Sequence, residues 1–280
     1  MEFKVINNFL SKSECSDLVS DGKKFSHLGP YSKINTNRNS LNSSSLSFME
    51  LCKNSKCWNE LSEKLQSQFF FDECFGKLEI EKTKYKIKKF YNRRRNSKTI
   101  KFFKKIGLSQ VQSIRTFSLM KYILLRFFLN IEKKIRFNFI TSLFKKPIEL
   151  LYDYSVAGKG YSREIHRDSD SRLVVFLIYL NKLENKDETG GQLEIYKNKN
   201  KFDKSAQPNK DNCELVESIE PEIGKLIIFQ NTDESFHAVK KIEDSNTERH
   251  FIYGAYTLLS GKNPFIKKST KLKTDFNFYE

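Results

Sequence analysis

The second half of the chain alternates short apolar runs with polar, turn-forming segments. Several short strands at such spacing are typical of an all-β sandwich or barrel. The run RLVVFLIYL is apolar at both odd and even positions, so both faces of this strand should be covered. The pattern predicts a mainly β, α+β protein in which helices pack outside a jelly-roll core. The predicted strands are ELLYDYSV, RLVVFLIYL, GQLEIY, GKLIIF and HFIYGAYTL.

The first 81 residues mix one strand with helices. FKVINNFL predicts a strand, and Ser11 with Glu14 forms the capping-box pattern that begins a helix. Residues 27–47 are rich in Ser, Asn and Gly and predict a long loop. Helical patterning returns over 48–70. We therefore expect this part of the chain to support the β core.

The positive charge is concentrated in one segment. The chain carries +16, but residues 82–147 hold 20 Lys or Arg and one acidic residue, Glu132, which gives this segment +19. The rest has 30 basic and 33 acidic residues. Apolar positions at 3.6-residue spacing predict a helix over 114–139. The expected organisation is a supporting region (1–81), a basic, partly helical insert (82–147), a jelly-roll catalytic core (148–262) and a tail (263–280).

Three roles for the basic insert remain open. A basic amphipathic helix can lie on an anionic membrane surface. The same charge can bind nucleic acid or another polyanion, with Tyr85, Phe90 and Tyr91 available for stacking. In the third interpretation, the apolar face packs on the jelly roll and the charges are only solvated. No specific nucleic-acid motif accompanies the charge.

Cysteine usage and the N-terminus indicate the compartment. The five cysteines are odd in number and irregularly spaced, which predicts reduced thiols rather than a disulfide framework. The first residues lack the pattern of a secretory signal, and no apolar run reaches the roughly 18 residues of a membrane span. We expect a cytoplasmic protein, with peripheral membrane association left open by the insert.

The segment HRDSDSRLVVFLIYLN carries candidate metal ligands. In a strand, residues i and i+2 project to the same face, so His166 and Asp168 can reach one ion together, while Arg167 is expected to point away and to matter least. His237, which follows the strand GKLIIF, is the best third ligand among the four histidines. Two histidines and one carboxylate leave three coordination positions open, which suits non-heme Fe(II).

These residues resemble a known family, the 2-oxoglutarate and Fe(II)-dependent dioxygenases, and within it the prolyl 4-hydroxylase-like branch. The family has an H-x-D pair, a distal His and a basic residue about ten positions later, which here match His166, Asp168, His237 and Arg249. The resemblance covers about residues 150–260 well and 1–20 weakly. Supporting positions, in chain order, are Tyr154, Gly160-Tyr161, Tyr179-Leu180-Asn181, Gly190-Gly191 and Pro221-x-x-Gly224.

The resemblance implies a double-stranded β-helix core, an iron centre and a hydroxylation reaction. His166, Asp168 and His237 would ligate Fe(II). Arg249 would pair with the far carboxylate of 2-oxoglutarate, and Tyr179 and Tyr154 would hydrogen-bond the same co-substrate. O₂ is the second co-substrate, succinate and CO₂ are the co-products, and ascorbate is an optional further cofactor.

The resemblance leaves the substrate open. A prolyl residue in a protein is the first hypothesis, and a free amino acid, a sugar or a lipid-linked precursor is equally compatible. Ala255 stands where nucleic-acid demethylating relatives carry a second Arg, which argues against that activity. The alternatives are a non-catalytic jelly roll that binds a ligand in the same pocket, and a hydroxylase associated with a polyanion or membrane surface. His250 is expected to be structural and His27 to lie in a surface loop.

Overall fold

The computed structural model describes residues 2–24, 29–30, 37–87, 146–182, 190–200, 205–243, 248–258 and 263–266. The helices are α1 (Lys12–Lys23), α2 (Leu46–Asn54), α3 (Lys56–Leu65) and α4 (Gln68–Lys77). The strands are β1 (Phe3–Ile6), β2 (Gly29–Pro30), β3 (Arg38–Asn42), β4 (Tyr85–Ile87), β5 (Lys146–Ala157), β6 (Arg163–His166), β7 (Arg172–Tyr179), β8 (Leu193–Asn198), β9 (Cys213–Ile219), β10 (Leu226–Gln230), β11 (Phe236–Val239) and β12 (Arg249–Leu258). Short 3₁₀ turns span Lys82–Lys84 and Lys210–Asn212.

The strands form two sheets that pack face to face. The major sheet has the order β1-β10-β7-β12-β5-β3-β2, with β4 paired in parallel to β5, and the minor sheet has the order β6-β11-β8-β9. One apolar cluster joins the sheets, because Leu193 and Ile195 of the minor sheet pack with Leu177 and Ile227 of the major sheet. The predicted jelly-roll core with outer helices is confirmed.

Strand β7 lies at the centre of the protein. Its residues from Leu173 to Tyr179 are all buried. Val174 and Phe176 face the helices, whereas Val175 and Leu177 face the minor sheet. This explains the unbroken apolar run and confirms that both of its faces are covered.

Serine side chains begin the helices that cover the outer face of the major sheet. Ser11 and Glu14 form the predicted capping box of α1, and Ser45, Ser55 and Ser67 each accept a backbone N–H at the start of α2, α3 and α4. The predicted helical segment 48–70 is therefore helical, but it is divided among three helices, since Ser55 and Ser67 each start a new one.

Trp58 links these helices to the sheet. It is fully buried, its indole N–H donates to the backbone oxygen of Leu18 at 2.9 Å, and its ring centroid lies 4.7 Å from that of Tyr154. Gly22 in α1 passes so close to Tyr154 that an added Cβ would lie 2.6 Å from the tyrosine hydroxyl. The helices and the major sheet thus share one core.

The prediction of a long loop over 27–47 is wrong for its second half. Strand β3 pairs with β5 in register from Arg38 opposite Ala157 to Asn42 opposite Asp153. Polar side chains on one face of β3 meet polar partners across the strand pair, as when Arg38 donates to Ser155. Because its side chains are mostly polar, β3 lacks the alternation of apolar and polar residues by which a strand is recognised in a sequence.

Two predictions from the sequence concern residues that the structure does not describe. The predicted helix at 114–139 and His27 lie outside the described residues. Among the described residues, no helix combines the length and apolar character needed to span a bilayer.

Candidate metal centre

His166 and His237 lie opposite each other on paired strands. They are register partners between β6 and β11, and their ring centroids are 4.4 Å apart. Asp168 follows two residues beyond the end of β6, and its Oδ2 lies 3.7 Å from Nε2 of His237. The candidate ligand atoms of the three residues all lie within 4.8 Å of one another. The structure therefore brings together the three residues that the spacing singled out.

Backbone carbonyls orient both imidazoles. Nδ1 of His166 donates to the backbone oxygen of Glu164 at 2.8 Å, and Nδ1 of His237 donates to that of Ser235 at 3.1 Å. Because a carbonyl only accepts, each ring carries its proton on Nδ1 and keeps a lone pair on Nε2. Burial lowers the pKa of both histidines, so both stay neutral and able to ligate a cation.

The two oxygens of Asp168 have different environments. Oδ1 accepts from Nη1 of Arg172 at 2.5 Å and from the hydroxyl of Tyr253 at 2.7 Å. Oδ2 is buried and has no hydrogen-bond partner among the described residues. Burial alone would raise the pKa of Asp168, but the charge of Arg172, with the hydrogen bond from Tyr253, outweighs it and holds the pKa of this carboxylate well below its usual range.

This donor set fits a divalent cation. A carboxylate with one open oxygen and two neutral imidazoles is the ligand set of a 2-His-1-carboxylate site, which suits non-heme Fe(II). A cation there would also satisfy the buried Oδ2.

The three residues line a pocket of about 730 Å³, which includes the space open to solvent. Leu177, Leu193 and Phe229 contribute apolar walls. Five arginines also line the pocket: Arg38, Arg163, Arg167, Arg172 and Arg249.

Arg249 is the arginine that fits a buried anion. It is 1% exposed, its Nη1 donates to the backbone oxygen of Gly191, and its Nε has no partner among the described residues. Its guanidinium carbon lies 5.5 Å from the ring centroid of Tyr179, whose hydroxyl is also buried without a partner in that part of the chain. Burial, partly offset by Arg249, raises the pKa of Tyr179 to about 12. Two adjacent unsatisfied donors fit a carboxylate.

Tyr154 does not reach this pocket, so its predicted contact with the co-substrate is wrong. Tyr154 is the register partner of Ile252 and packs on the helix side of the major sheet. Its hydroxyl is hydrogen-bonded to Nδ1 of His250 at 2.7 Å. Arg249 and Phe251 alternate with His250 along β12 and face the pocket instead. His250 is therefore a structural residue on the other face, as predicted.

Arg167 also departs from its prediction. It is 3% exposed, lines the pocket and pairs with Asp170 at 2.7 Å. Strand β6 ends at His166, so the alternation of a strand no longer sets the direction of the next side chain. The expectation that Arg167 points away from the centre is wrong.

Sequence reasoning missed three further residues around the centre. Arg172 and Tyr253 both hydrogen-bond to Asp168. The sequence offered a clue to each of them, because Arg172 is a charged residue at the start of an apolar strand and Tyr253 lies four positions after Arg249 on the same face of β12. Arg38 lies within a Ser- and Asn-rich stretch that gives no signal of its own.

Comparisons with known proteins agree with this geometry. Residues 151–256 match the model of the 2OG-Fe(II) oxygenase superfamily. No curated protein sequence matches the chain.

The solved structures that are similar to the chain include three prolyl hydroxylases. A prolyl hydroxylase from Trichoplax adhaerens, in complex with a peptide fragment of the hypoxia inducible factor oxygen degradation domain, has 16% identity over 91% of this chain and 83% of that chain, with a TM-score of 0.45. A Pseudomonas putida prolyl-4-hydroxylase has 14% identity over 91% and 92%, with a TM-score of 0.39. A Phytophthora capsici prolyl 4-hydroxylase has 12% identity over 94% and 60%, with a TM-score of 0.47. At these identities and TM-scores, the likenesses carry no argument about the substrate.

Proposed function

We propose that the chain hydroxylates an organic substrate with Fe(II), 2-oxoglutarate and O₂, as a member of the 2OG-Fe(II) oxygenase superfamily whose model residues 151–256 match. The observation that carries the proposal is the convergence of His166, Asp168 and His237 at a buried pocket that Arg249 also lines. The metal-free alternative, a jelly roll that only binds a ligand, leaves the buried Oδ2 of Asp168 without a partner.

His166, Asp168 and His237 would hold Fe(II) through two Nε2 atoms and Oδ2. The bound metal, with 2-oxoglutarate and O₂, supplies the oxidation of a C–H bond, with succinate and CO₂ as co-products. The protein keeps the ligand atoms in place: the backbone oxygens fix the imidazole rings, and Arg172 and Tyr253 fix the carboxylate.

Arg249 would bind the far carboxylate of 2-oxoglutarate through its guanidinium, with the Tyr179 hydroxyl as a second donor. Both groups are buried, so water does not compete strongly for them. The rings of Tyr161 and Phe251 pack against the guanidinium and leave it little freedom to reorient. The pocket is thus prepared for a dicarboxylate before it binds.

A prolyl residue of a protein is the first substrate to test, because the motif resemblance is to the prolyl 4-hydroxylase-like branch. A small metabolite is the second. Both hypotheses place the C–H bond that reacts beside His166, Asp168 and His237.

Succinate formation tests the proposal directly. Purified protein with Fe(II), 2-oxoglutarate and O₂ should form succinate slowly even without substrate, and His166→Ala should form none. His250→Gln removes a histidine outside the pocket and serves as the matched control. Equal succinate formation by the wild type and His166→Ala would contradict an enzymatic role, and binding of 2-oxoglutarate without any succinate would favour the non-catalytic alternative.

A further inference from the structure

Arginine side chains dominate the charged lining of the pocket. Five arginines line it, and Asp168 is the only acidic residue among the described lining residues. Asp170 pairs with Arg167, and Asp153 is buried within electrostatic reach of Arg38. Fe(II) and the 2-oxoglutarate dianion carry equal and opposite charges, so binding both would leave the net charge of this lining unchanged.

Arg38 brings part of this charge to the metal centre. It is 5% exposed, and its Nε and Nη2 donate to Oγ of Ser155 at 3.1 and 2.8 Å. Its guanidinium carbon lies 4.9 Å from the ring centroid of Phe251 and 5.7 Å from that of Tyr253. These contacts hold the charge in a fixed position in the pocket.

The two rings beside Arg38 connect it to both halves of the site. The Phe251 ring also contacts the guanidinium of Arg249, whose carbon lies 4.8 Å from the ring centroid. The Tyr253 hydroxyl donates to the iron ligand Asp168. A group bound by Arg38 would therefore lie close to both the co-substrate and the metal.

Arg163 faces the same pocket from the other sheet. It stands on β6 as the register partner of Val239, next to the pair formed by His166 and His237. It is half-buried and lines the pocket. Guanidinium groups from the major sheet (Arg38) and the minor sheet (Arg163) thus line one space around the iron centre.

We propose that the substrate carries a carboxylate or phosphate group, which Arg38 binds together with Arg163 while a neighbouring carbon faces the iron ligands. This rests on the proposed function and names its substrate class. A guanidinium matches the fork geometry of either anion, and burial strengthens such a pair. A neutral analogue leaves the guanidinium without that partner, so the site discriminates by charge.

Binding measurements on Zn(II)-loaded protein with saturating 2-oxoglutarate test this inference. Zn(II) prevents turnover, and 2-oxoglutarate occupies Arg249 so that the added anion cannot bind there. Calorimetric titration compares three anion and neutral pairs: N-acetyl-L-glutamate with N-acetyl-L-glutamine, O-phospho-L-serine with L-serine, and a capped Glu-Pro-Gly peptide with Gln-Pro-Gly. We expect the anion of at least one pair to bind about tenfold or more tightly than its neutral partner. The pair that shows the preference indicates whether the anionic group of the substrate belongs to a free carboxylic acid, a phosphate ester or an acidic peptide.

Three variants assign the preference to the arginines. Arg38→Gln and Arg163→Gln should each reduce it about tenfold, and Arg38→Lys should retain part of it. Lys197→Gln removes the same charge from an exposed position on β8 and should leave the preference unchanged. Melting temperatures show that each variant is folded, and Arg163→Gln carries the test alone if Arg38→Gln is not.

The outcomes separate this inference from the proposed function. Binding of 2-oxoglutarate to the Zn(II)-loaded protein, with its loss in Arg249→Gln, is measured first and tests the proposed function. The absence of an anion preference in all three pairs, or a preference unchanged in both arginine variants, overturns the anionic substrate whatever the first titration shows.

Discussion

Asp168 is held by donors from two different strands, Arg172 at the start of β7 and Tyr253 on β12. Both bind the same oxygen, Oδ1, so the carboxylate cannot rotate freely and Oδ2 stays directed at the histidines. Arg172 and Tyr253 therefore help to set how closely the three candidate ligands converge, although neither is a candidate ligand itself.

Replacing Tyr253 by Phe tests this positioning. The substitution keeps the ring beside Arg38 and Arg172 but removes the hydroxyl that donates to Asp168. We expect the affinity for Zn(II) or Fe(II) to fall by about tenfold or more, because such partners of metal ligands commonly contribute that much. Calorimetry measures the change. Tyr196→Phe, which removes a hydroxyl bonded to Glu194 outside the pocket, is the control, and equal affinities in both variants would count against the role of Tyr253.

His250 predicts a dependence of stability on pH. Burial, with a smaller effect of Lys23, lowers the pKa of His250 to about 4. The folded value lies below the ordinary value of 6.5, so the unfolded chain takes up the proton first as the pH falls. The stabilisation is fully present above pH 6.5 and is lost as the pH falls towards 4.

The variant His250→Gln should therefore lose less stability than the wild type between pH 7 and pH 5. The expected difference is up to about 2 kcal/mol, from the size of the shift. Urea unfolding at both pH values in the presence of EDTA measures this difference. Protonation of His166 and His237 affects both proteins equally, so it cancels in the comparison. Parallel loss of stability in the two proteins would contradict the assignment.

The sequence identified the three candidate ligands but not every group around them. The spacing of two positions paired His166 with Asp168 in the sequence. In the structure β6 ends at His166, so Asp168 reaches the site from the segment after the strand and not from a shared strand face. Tyr154 could not be placed, because β5 is buried on both sides and apolar residues gave no sign of which face was the pocket. When both faces of a strand are buried, only the elements that pack on it show which face lines the pocket. For β5 these elements include the helices, which lie about a hundred residues earlier in the chain.

Among the elements, strand β3 was hidden for a related reason. Its side chains bond to partners more than a hundred positions later, as Arg38 does to Ser155 and Asn42 to Asp153. A local pattern cannot show a polar strand whose partners are this remote. The apolar strands β7, β10 and β12, in contrast, could be located from their own residues.

Helix α1 offers a test of how tightly the helices pack on the sheet. Replacing Gly by Ala in a helix normally stabilises it by roughly 0.5–1 kcal/mol. At Gly22, the new Cβ would lie 2.6–2.7 Å from Tyr154, so we expect Gly22→Ala to destabilise the protein by about 1–3 kcal/mol instead. Gly76 in α4 has no atom within 4 Å of an added Cβ, and Gly76→Ala should be stabilising. Chemical denaturation measures both, and equal shifts in the two variants would contradict the close packing.

At the scale of the whole molecule, the N-terminal segment completes the core on which the site is built. One buried cluster joins Leu18, Trp58 and Phe70 of the helices to Phe176 and Tyr256 of the major sheet. Strand β1 pairs with β10, and β3 pairs with β5. The N-terminal segment therefore covers the outer face of the major sheet and extends it beyond β10 and β5.

The charge of residues 82–147 gives a test that concerns the whole chain. The membrane-surface hypothesis predicts that the protein co-sediments with vesicles containing anionic lipid at low salt and is released at high salt, because salt screens such attraction. Replacing Arg93, Arg94 and Arg95 with Gln should weaken this binding by up to about 3 kcal/mol, at roughly 1 kcal/mol for each charge. Neutral vesicles are the control. The absence of binding at low salt would leave the polyanion and solvated-surface interpretations.

Strand β3 lies outside the part of the chain that matches the superfamily, yet it places Arg38 beside the residues that would bind iron and 2-oxoglutarate. One of the two arginines proposed to bind the substrate is thereby encoded outside the stretch that carries the candidate metal ligands. A substitution at position 38 would therefore change the preferred substrate and leave the three candidate metal ligands in place.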